Sequence, residues 1–408
     1  MKRSLAVLTL MGIFLTTTGA LAGKLIINSD TSDPAPKAAF QAIVEEFKKE
    51  NPDIDAQLNI YDHESYKTSI RNWLSTEAPD VAFWYSGERM KTFVARGLVE
   101  PINEIWDDNN LHEMMASTRS GITFSDKQYG LPYTYYQWGV YYRKDLFEKN
   151  GLAVPTSWEE YLAVCKTLKE NGTTPIAIGT KFLWTAAGWF DYLNLRINGL
   201  DFHMQLMAGA IPYTDQRVKD VFAKWRQLVE PGYYLENHTS YSWQEAQPFL
   251  YQGKAAMYLI GNFITPMFPD EVQDKMGFFQ FPKINPDVDF YEDAPTDILL
   301  IPAKAKNKKD AAAFLSFIAR PENIRKLNDK LDQLPTHKEA GVKDNYYLNI
   351  GNEMLSKAGG TAQFYDRDTK PEMAKIGMKG FQEFMVKPDR LDKILERIEK
   401  GRKRIYKK

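Results

Sequence analysis

Residues 24–60, KLIINSDTSDPAPKAAFQAIVEEFKKENPDIDAQLNI, carry the pattern that decides the fold. The first five residues are a short apolar run typical of a buried strand, and a polar loop follows them. After Pro34, apolar residues recur at helical spacing: Phe40, Ile43, Val44 and Phe47. Pro52 ends this helix, and apolar residues then alternate from Ile54 to Ile60 as they do in a strand. The stretch therefore predicts a strand, a helix and a second strand in succession.

The same succession continues along the chain. Further strands are predicted for DVAFW (80–84), PIAIG (175–179), MGFFQFP (276–282) and DILLIPA (297–303). Ser157 and Glu160 form an S-x-x-E capping box before another helix, in which we expect Cys165 to be buried. Strands that alternate with helices predict an α/β fold with a mainly parallel sheet covered on both faces. The length is too great for one compact core and is enough for two.

The N-terminus has the features of an export signal. Lys2 and Arg3 precede a short, mostly apolar stretch, and Ala20-Leu21-Ala22 has the form of a cleavage site. We therefore expect residues 1–22 to be a cleaved signal peptide. The apolar stretch is too short to span a bilayer, and no Cys near the cleavage site could carry a lipid. The mature protein is expected to be periplasmic, without a lipid anchor.

Composition and motifs exclude several classes of function. The 52 basic and 53 acidic residues nearly balance, which gives no support to nucleic acid as a partner. The five His residues are scattered, and the single Cys allows no intrachain disulfide, so we predict no metal and no cofactor. The chain has no G-x-S-x-G elbow, Walker A loop or G-x-G-x-x-G motif. A pair of glycosidase carboxylates has no fixed spacing, so that class of enzyme stays open.

Aromatic and polar residues follow many of the predicted strands, where open parallel sheets bind ligands. One face of a pyranose ring is apolar and packs on flat aromatic side chains. Its hydroxyl edge suits Asp, Asn and Arg, which form charge-assisted and often bidentate hydrogen bonds. The stacking candidates are Trp84, Tyr85, Tyr135, Trp184, Trp243 and Phe263. The hydrogen-bonding candidates are Asp30, Asp33, Gln137, Asn262, Asp297, Asp366 and Arg367.

Several segments resemble the extracellular solute-binding proteins of ABC importers, and in particular the maltose- and trehalose-binding type. The longest runs from YGLPY to PIAIG (129–179). Others, in the same order as in the family, are APDVAFW (78–84), ARGLVEPI (95–102), FLYQGKAAMYLIGNF (249–263) and KKDAAAFLSFIARPENIRKL (308–327). Two positions depart from the family pattern: Arg143 stands where Asn or Asp is frequent, and Phe263 where Trp is frequent. The second change implies a smaller stacking surface.

The resemblance implies two α/β lobes joined by crossing strands, with a sugar or oligosaccharide between them. Lobe one would comprise residues 23–132 and 300–334, and lobe two residues 133–299 and 335–408. The lobes would close on the ligand by a hinge motion and then dock on the membrane subunits of a permease. The resemblance implies no enzyme activity, and we expect a monomer.

The stretch LPYTYYQWGVYY (131–142) holds six aromatic rings at the expected crossover between the lobes. Strand alternation puts Tyr133, Tyr135 and Gln137 on one face, and Thr134, Tyr136 and Trp138 on the other. We expect Tyr135 and Gln137 to face the cleft. We expect Tyr141 and Tyr142, further along, to lie in the core.

Two other functions fit the same residues. A secreted glycoside hydrolase or polysaccharide lyase would also be rich in aromatic residues and carboxylates, and its turnover of a glycoside or polysaccharide would distinguish it. A binding protein of the same fold could instead take a peptide, a polyamine or a metal. The resemblance favours sugar over these ligands.

Overall fold

The computed structural model describes residues 23–407, so the predicted signal peptide, residues 1–22, lies outside the described residues. The strands are β1 Leu25–Ser29, β2 Ala56–Ile60, β3 Val81–Tyr85, β4 Thr123–Phe124, β5 Lys127–Gln128, β6 Leu131–Tyr135, β7 Trp138–Arg143, β8 Thr174–Ile176, β9 Ala255–Gly261, β10 Met276–Phe279, β11 Tyr291–Asp293, β12 Thr296–Leu300 and β13 Gly360–Ala362. The first helices are α1 Pro34–Glu50, α2 His63–Ser75, α3 Glu88–Val94, α4 Asn103–Asp108, α5 Leu111–Met114, α6 Lys144–Lys149, α7 Trp158–Glu170, α8 Trp184–Met207 and α9 Gln216–Val229. The later helices are α10 Trp243–Tyr251, α11 Asp270–Gln273, α12 Lys308–Ala319, α13 Pro321–Leu331, α14 Tyr346–Lys357, α15 Tyr365–Asp368, α16 Pro371–Val386 and α17 Leu391–Tyr406.

The first large sheet has the strand order β2-β1-β3-β12-β6. Strand β1 pairs in parallel with β2 and β3, as the opening strand-helix-strand stretch predicts. Strand β12 comes from much later in the chain and runs antiparallel to both β3 and β6. Helix α1 packs its predicted apolar face on this sheet, because Phe40, Ile43, Val44 and Phe47 are all buried.

The second large sheet has the strand order β10-β7-β9-β8. Its central strand β7 is antiparallel to both β10 and β9, and only β8 and β9 pair in parallel. The prediction of a mainly parallel sheet is therefore wrong here, although it holds for β2, β1 and β3. Helix α7 covers this part of the protein, with the predicted capping box of Ser157 and Glu160 and a buried Cys165.

Two hydrophobic clusters correspond to the two sheets. The first gathers apolar residues from 25–133 and 298–340, and the second gathers residues from 136–281 and 354–398. Two separate cores, each built on its own sheet, form the two-lobed α/β fold that the sequence predicts. The exact lobe boundaries stay a prediction; Tyr133, Ile298 and Leu299 pack in the first cluster.

The stretch 131–142 passes from one sheet to the other rather than forming one strand. Strand β6 ends at Tyr135 in the first sheet, and β7 begins at Trp138 in the second. The pairing of β6 with β12 also shifts register between Asp297 and Ile298. Tyr141 and Tyr142 are buried in the second cluster, which confirms their predicted place in the core.

Candidate functional site

A cavity of about 140 Å³ lies between the two clusters and takes residues from both. The first cluster's side supplies mainly polar groups that follow strands or begin helices. The second cluster's side supplies mainly aromatic rings. The lining residues are Asp30, Thr31, Asp33, Pro36, Phe40, His63, Lys67, Tyr85, Tyr133, Tyr136, Trp138, Trp184, Trp243, Phe263, Pro295, Asp297, Leu331, Gln333, Phe364, Asp366 and Arg367.

Asp30 is the polar group that follows β1, and two neighbours hold its carboxylate. The hydroxyl of Tyr85, the last residue of β3, donates to Asp30 Oδ2 at 2.9 Å. His63 Nδ1, at the first residue of α2, lies 3.2 Å from the same oxygen. Because β1 and β3 are parallel neighbours, their carboxyl ends bring Asp30 and Tyr85 together at one edge of the sheet.

Arg367 is a cation in the lining of the cavity. Its Nη1 donates to Asp297 Oδ1 at 2.8 Å and to the carbonyl oxygen of Thr296 at 3.2 Å. Its Nη2 donates to the hydroxyl of Tyr136 at 2.9 Å, and its guanidinium lies 4.3 Å from the ring centre of Tyr85. The guanidinium is thus fixed by groups from both sides of the cavity, although α15, which carries it, is only one turn long.

The aromatic wall is a set of rings packed edge to face. Trp243 meets Phe263 with ring centres 5.0 Å apart and planes at 80°. Trp184 lies 6.2 Å from both of these rings, and Trp138 lies 6.1 Å from Trp184. Rings held in this way leave some faces turned away from their neighbours, and such faces can pack on the apolar face of a ligand.

Two contacts join the two sides of the protein beside the cavity. Trp184 Nε1, on the second cluster's side, donates to Glu64 Oε1 of α2 at 3.2 Å. Gln244 Nε2 lies 3.5 Å from Asp33 Oδ1, the residue before α1. The partners of these two contacts lie 120 and 211 residues apart in the chain and on different sides of the cavity, so the contacts depend on the present approach of the two sides.

A second, larger cavity of about 1030 Å³ lies next to the first, and Lys67 lines both. The ion pair of Arg89 with Asp366 stands between them, since Asp366 lines the first cavity and Arg89 the second. Arg89 Nε also donates to the main-chain oxygen of Asp366 at 2.9 Å. This double contact bounds the smaller cavity.

The carboxylates of the cavity differ in their affinity for protons. Burial opposes the ionisation of Asp30, but the bonds from His63 and Tyr85 outweigh it and lower the pKa of Asp30. Burial likewise opposes ionisation of Asp366, yet nearby cations, Arg89 first among them, lower its pKa. Burial raises the pKa of Asp297, and the adjacent Arg367 offsets this only in part. Asp30 and Asp366 therefore supply ionised acceptors at neutral pH.

Most of the predicted site residues line this cavity. They are Asp30, Asp33, Tyr85, Trp184, Trp243, Phe263, Asp297, Asp366 and Arg367. Their expected contact with a ligand stays a prediction. Asp30 and Arg367 lie 337 residues apart in the chain, and the fold brings them to one cavity.

Trp84 and Tyr135 do not line the cavity. Side chains alternate along β3, so Trp84 points to the face opposite Tyr85; its ring packs 5.1 Å from that of Phe93, and it lines the second cavity. The main chain of Tyr135 exchanges hydrogen bonds with that of Leu334, at 3.1 and 3.0 Å, at the end of β6. The expectation that these two rings line the cleft is therefore corrected: the sheet geometry places neither of them in the cavity.

Gln137 and Asn262 also lie outside the cavity lining, because other main-chain groups engage their amides. Gln137 Nε2 donates to the carbonyl oxygen of Tyr347 at 3.0 Å, beneath α14. Asn262 accepts from the hydroxyl of Tyr141 at 2.7 Å, and its amide donates to the carbonyl oxygen of Asp332. Both are buried structural residues.

Several residues line the cavity although the sequence does not predict it. Strand alternation across 131–142 puts Tyr136 and Trp138 on the face opposite Tyr135 and Gln137, yet both line the cavity. The change of sheet after Tyr135 breaks that alternation, so Tyr133, Tyr136 and Trp138 all reach the cavity. His63 also lines it, and its place at the first residue of an amphipathic helix is the available signal.

Within residues 23–407, no group of three or more His, Cys, Asp or Glu side chains is arranged to hold a metal ion. In the same part of the chain, no helix is both long and apolar enough to cross a membrane.

Comparisons with known proteins agree with this architecture. Residues 31–324 match the family described as bacterial extracellular solute-binding protein. The chain is 27% identical over 320 residues to an uncharacterised ABC transporter extracellular-binding protein of Pyrococcus horikoshii, covering 74% of this chain and 69% of that one. It is 22% identical over 317 residues to the multiple sugar-binding protein of Streptococcus mutans, covering 72% and 70%.

Among solved structures, the bacterial solute receptor AcbH matches with a TM-score of 0.89 at 32% identity, over 94% of this chain and 100% of that one. That receptor is described as having an exclusive substrate preference for β-D-galactopyranose. The chain belongs to the family of bacterial extracellular solute-binding proteins. Its resemblance to the binding proteins of ABC importers, and the two-lobed fold that this implied, are thereby confirmed.

Proposed function

We propose that this protein is the substrate-binding subunit of an ABC importer, and that it binds a sugar of one pyranose ring in the cavity between its lobes. The observation that carries the proposal is the two-sided cavity. An aromatic wall that includes Trp243 and Phe263 faces the charged groups of Asp30 and Arg367. Few ligands other than sugars present an apolar face and a rim of hydroxyls at once.

The polar groups suit hydroxyls in particular. Asp30 and Asp366 are ionised acceptors, and Arg367 is a fixed donor. A sugar hydroxyl is both donor and acceptor, so it can bridge a carboxylate and a guanidinium. Hydrogen bonds to charged groups are the strong ones in proteins. The proposal that these residues contact the ligand rests on this match.

The size of the cavity favours one ring. Pockets for drug-sized ligands measure about 300–1,000 Å³, and this cavity is about 140 Å³. The pair of Arg89 and Asp366 bounds it on the side of the larger cavity. A preference for β-D-galactopyranose, a single ring, is described for the receptor that matches at 32% identity. We therefore propose that this chain, too, prefers a single-ring sugar, and we do not propose which one.

The remaining expectations belong to the same proposal. The protein is exported to the periplasm through its N-terminal signal segment and acts there as a monomer. It delivers the sugar to the membrane subunits of a permease, and it does not hydrolyse the sugar. The similarity to ABC transporter binding proteins supports the permease as partner.

Isothermal titration calorimetry of the purified protein against a panel of ligands tests the proposal. The panel comprises D-galactose, D-glucose, D-xylose, maltose, spermidine and a tripeptide. We expect a monosaccharide to bind with micromolar affinity, which corresponds to about −8 kcal/mol. Binding of spermidine or the tripeptide, without binding of any sugar, would refute the proposal that the ligand is a sugar.

A pair of variants connects the binding to the aromatic wall. Trp243→Ala removes a ring that lines the cavity, and we expect it to weaken the binding of the monosaccharide by roughly 1–3 kcal/mol. Tyr346→Ala is the matched control, because Tyr346 is 52% exposed and does not line the cavity. Equal affinity of the two variants would place the sugar elsewhere.

A further inference from the structure

Three buried carboxyl groups lie beneath the segment that carries Asp366 and Arg367. They belong to Asp191 of α8, Asp293 of β11 and Asp368 of α15, and we call them the carboxyl cluster. Asp191 and Asp293 are 0% exposed, and Asp368 is 9% exposed. They lie close enough for the charge of each to oppose ionisation of another. Such groups are rare in a protein interior unless they are paired.

The cluster holds the main chain of the ligand-site segment 363–368. Asp368 Oδ2 accepts from the main-chain N–H groups of Gln363, at 2.7 Å, and Phe364, at 3.2 Å. Asp191 Oδ2 accepts from the N–H of Tyr365 at 2.6 Å. Three successive main-chain donors thus end on the carboxyl cluster, immediately before the two residues that line the cavity.

The cluster lacks a matching set of cations. The charged and titratable side chains from the elements packed around it are Arg89, Tyr192, Arg196, His203, Tyr213, Glu292, Asp297, Tyr365, Asp366 and Arg367. Each arginine is bonded to another acid: Arg196 to Glu292 at 2.6 Å, Arg367 to Asp297 at 2.8 Å, and Arg89 to Asp366. Within residues 23–407, both side-chain oxygens of Asp293 and Oδ1 of Asp191 have no hydrogen-bond partner. Full ionisation would leave uncompensated buried charge, which is costly.

Protonation of the carboxyl cluster would remove this buried negative charge. Burial raises the pKa of Asp368 to about 7, and burial together with the neighbouring acids raises the pKa of Asp191 and Asp293 well above the ordinary value. His203 Nε2 lies 3.9 Å from Asp191, but burial lowers the pKa of His203 to about 3, so it stays neutral. Among the described residues, no three or more His, Cys, Asp or Glu side chains are arranged to hold a metal ion.

We propose that Asp191, Asp293 and Asp368 are positioning residues that stay protonated in their buried surroundings, and that the loss of these protons at rising pH displaces segment 363–368 and weakens ligand binding. The part concerning the ligand rests on the proposed sugar function. A carboxyl group that holds its proton more tightly in the folded state stabilises that state at low pH. This stability is lost as pH rises through the folded-state pKa. For Asp368 this loss begins above the ordinary Asp pKa of about 4 and is complete near the folded-state pKa of about 7.

The test measures the affinity for D-galactose by calorimetry, and the midpoint of thermal unfolding without sugar, from pH 5 to pH 9. We expect the wild type to lose about tenfold or more in affinity, since one pKa unit corresponds to a tenfold change, and its unfolding midpoint to fall. Asp293→Asn has no charge at any pH, so the loss should shrink to about threefold or less. Asp368→Asn should also flatten both profiles, and it serves if Asp293→Asn does not fold.

The matched control is Asp201→Asn, which changes an exposed acid on the same helix α8 as Asp191. It should keep the full pH dependence of the wild type. A wild-type unfolding midpoint that does not fall from pH 5 to pH 9 would overturn the proposal, whether or not a sugar binds. Equal pH profiles for the wild type and both cluster variants would also overturn it. Failure of D-galactose to bind at every pH, with the expected unfolding profiles, would count against the sugar and support the cluster.

Discussion

Replacing Arg367 by Lys should weaken sugar binding without unfolding the protein. A guanidinium carries five N–H donors, and three hydrogen bonds already run to Asp297, Thr296 and Tyr136. Two donors are left for a ligand. A lysine keeps the positive charge beside Asp297 but cannot reproduce this planar set of donors. Losing one hydrogen bond to a charged group costs about 1.5–3 kcal/mol, which is about tenfold to 150-fold in affinity.

Calorimetry with the bound monosaccharide, together with thermal unfolding, measures both parts of this prediction. Arg367→Ala should also lower the stability, by about 1–3 kcal/mol, because it leaves the half-buried carboxylate of Asp297 without its charged partner. Arg320→Lys is the matched control, since Arg320 is 45% exposed and pairs with Glu50 on the surface. Wild-type affinity in a folded Arg367→Lys protein would refute the assignment of Arg367 to the ligand.

Three further changes probe other parts of the structure. Glu64→Ala removes the acceptor of Trp184 Nε1, 3.2 Å away across the cavity, and should speed sugar dissociation about threefold to tenfold in stopped-flow fluorescence. An unchanged dissociation rate would show that this contact does not hold the two sides together. Asp30→Asn removes a charged acceptor, so calorimetry should show about a tenfold loss of affinity, and full affinity would exclude Asp30 from the site. Gly179→Ala would place a Cβ 2.1 Å from the main-chain oxygen of Ser242, and should lower the free energy of unfolding by about 1–3 kcal/mol in urea titration; an unchanged value would contradict this packing.

The sequence predicts the strand-helix-strand start well because its signals are local. The helical spacing from Phe40 to Phe47 and the prolines at 34 and 52 specify the element and its ends. The antiparallel pairing of the second sheet carries no such signal. Strand β9 is uniformly buried, so its composition does not reveal the direction of its neighbours.

In the candidate site, too, residues with a local sequence signal are predicted and residues placed by long-range pairing are not. Residues that directly follow a strand, such as Asp30 and Tyr85, reach the cavity because strand ends meet at one edge of a sheet. Tyr136 and Gln137 exchange their expected places because the chain leaves one sheet and enters another between β6 and β7. That break follows from long-range pairing with β12 and β9, which alternation within twelve residues cannot express.

We propose that one sugar ring fills the cavity between the lobes. Calorimetric titration of one preparation with D-galactose, D-glucose and raffinose, a trisaccharide, tests it most directly. We expect a monosaccharide to bind one to one with micromolar affinity, and raffinose to bind at least about a hundredfold more weakly, a difference of about 2.8 kcal/mol. Tighter binding of raffinose than of either monosaccharide would contradict the single-ring cavity, and binding of neither sugar class would contradict the proposed function itself.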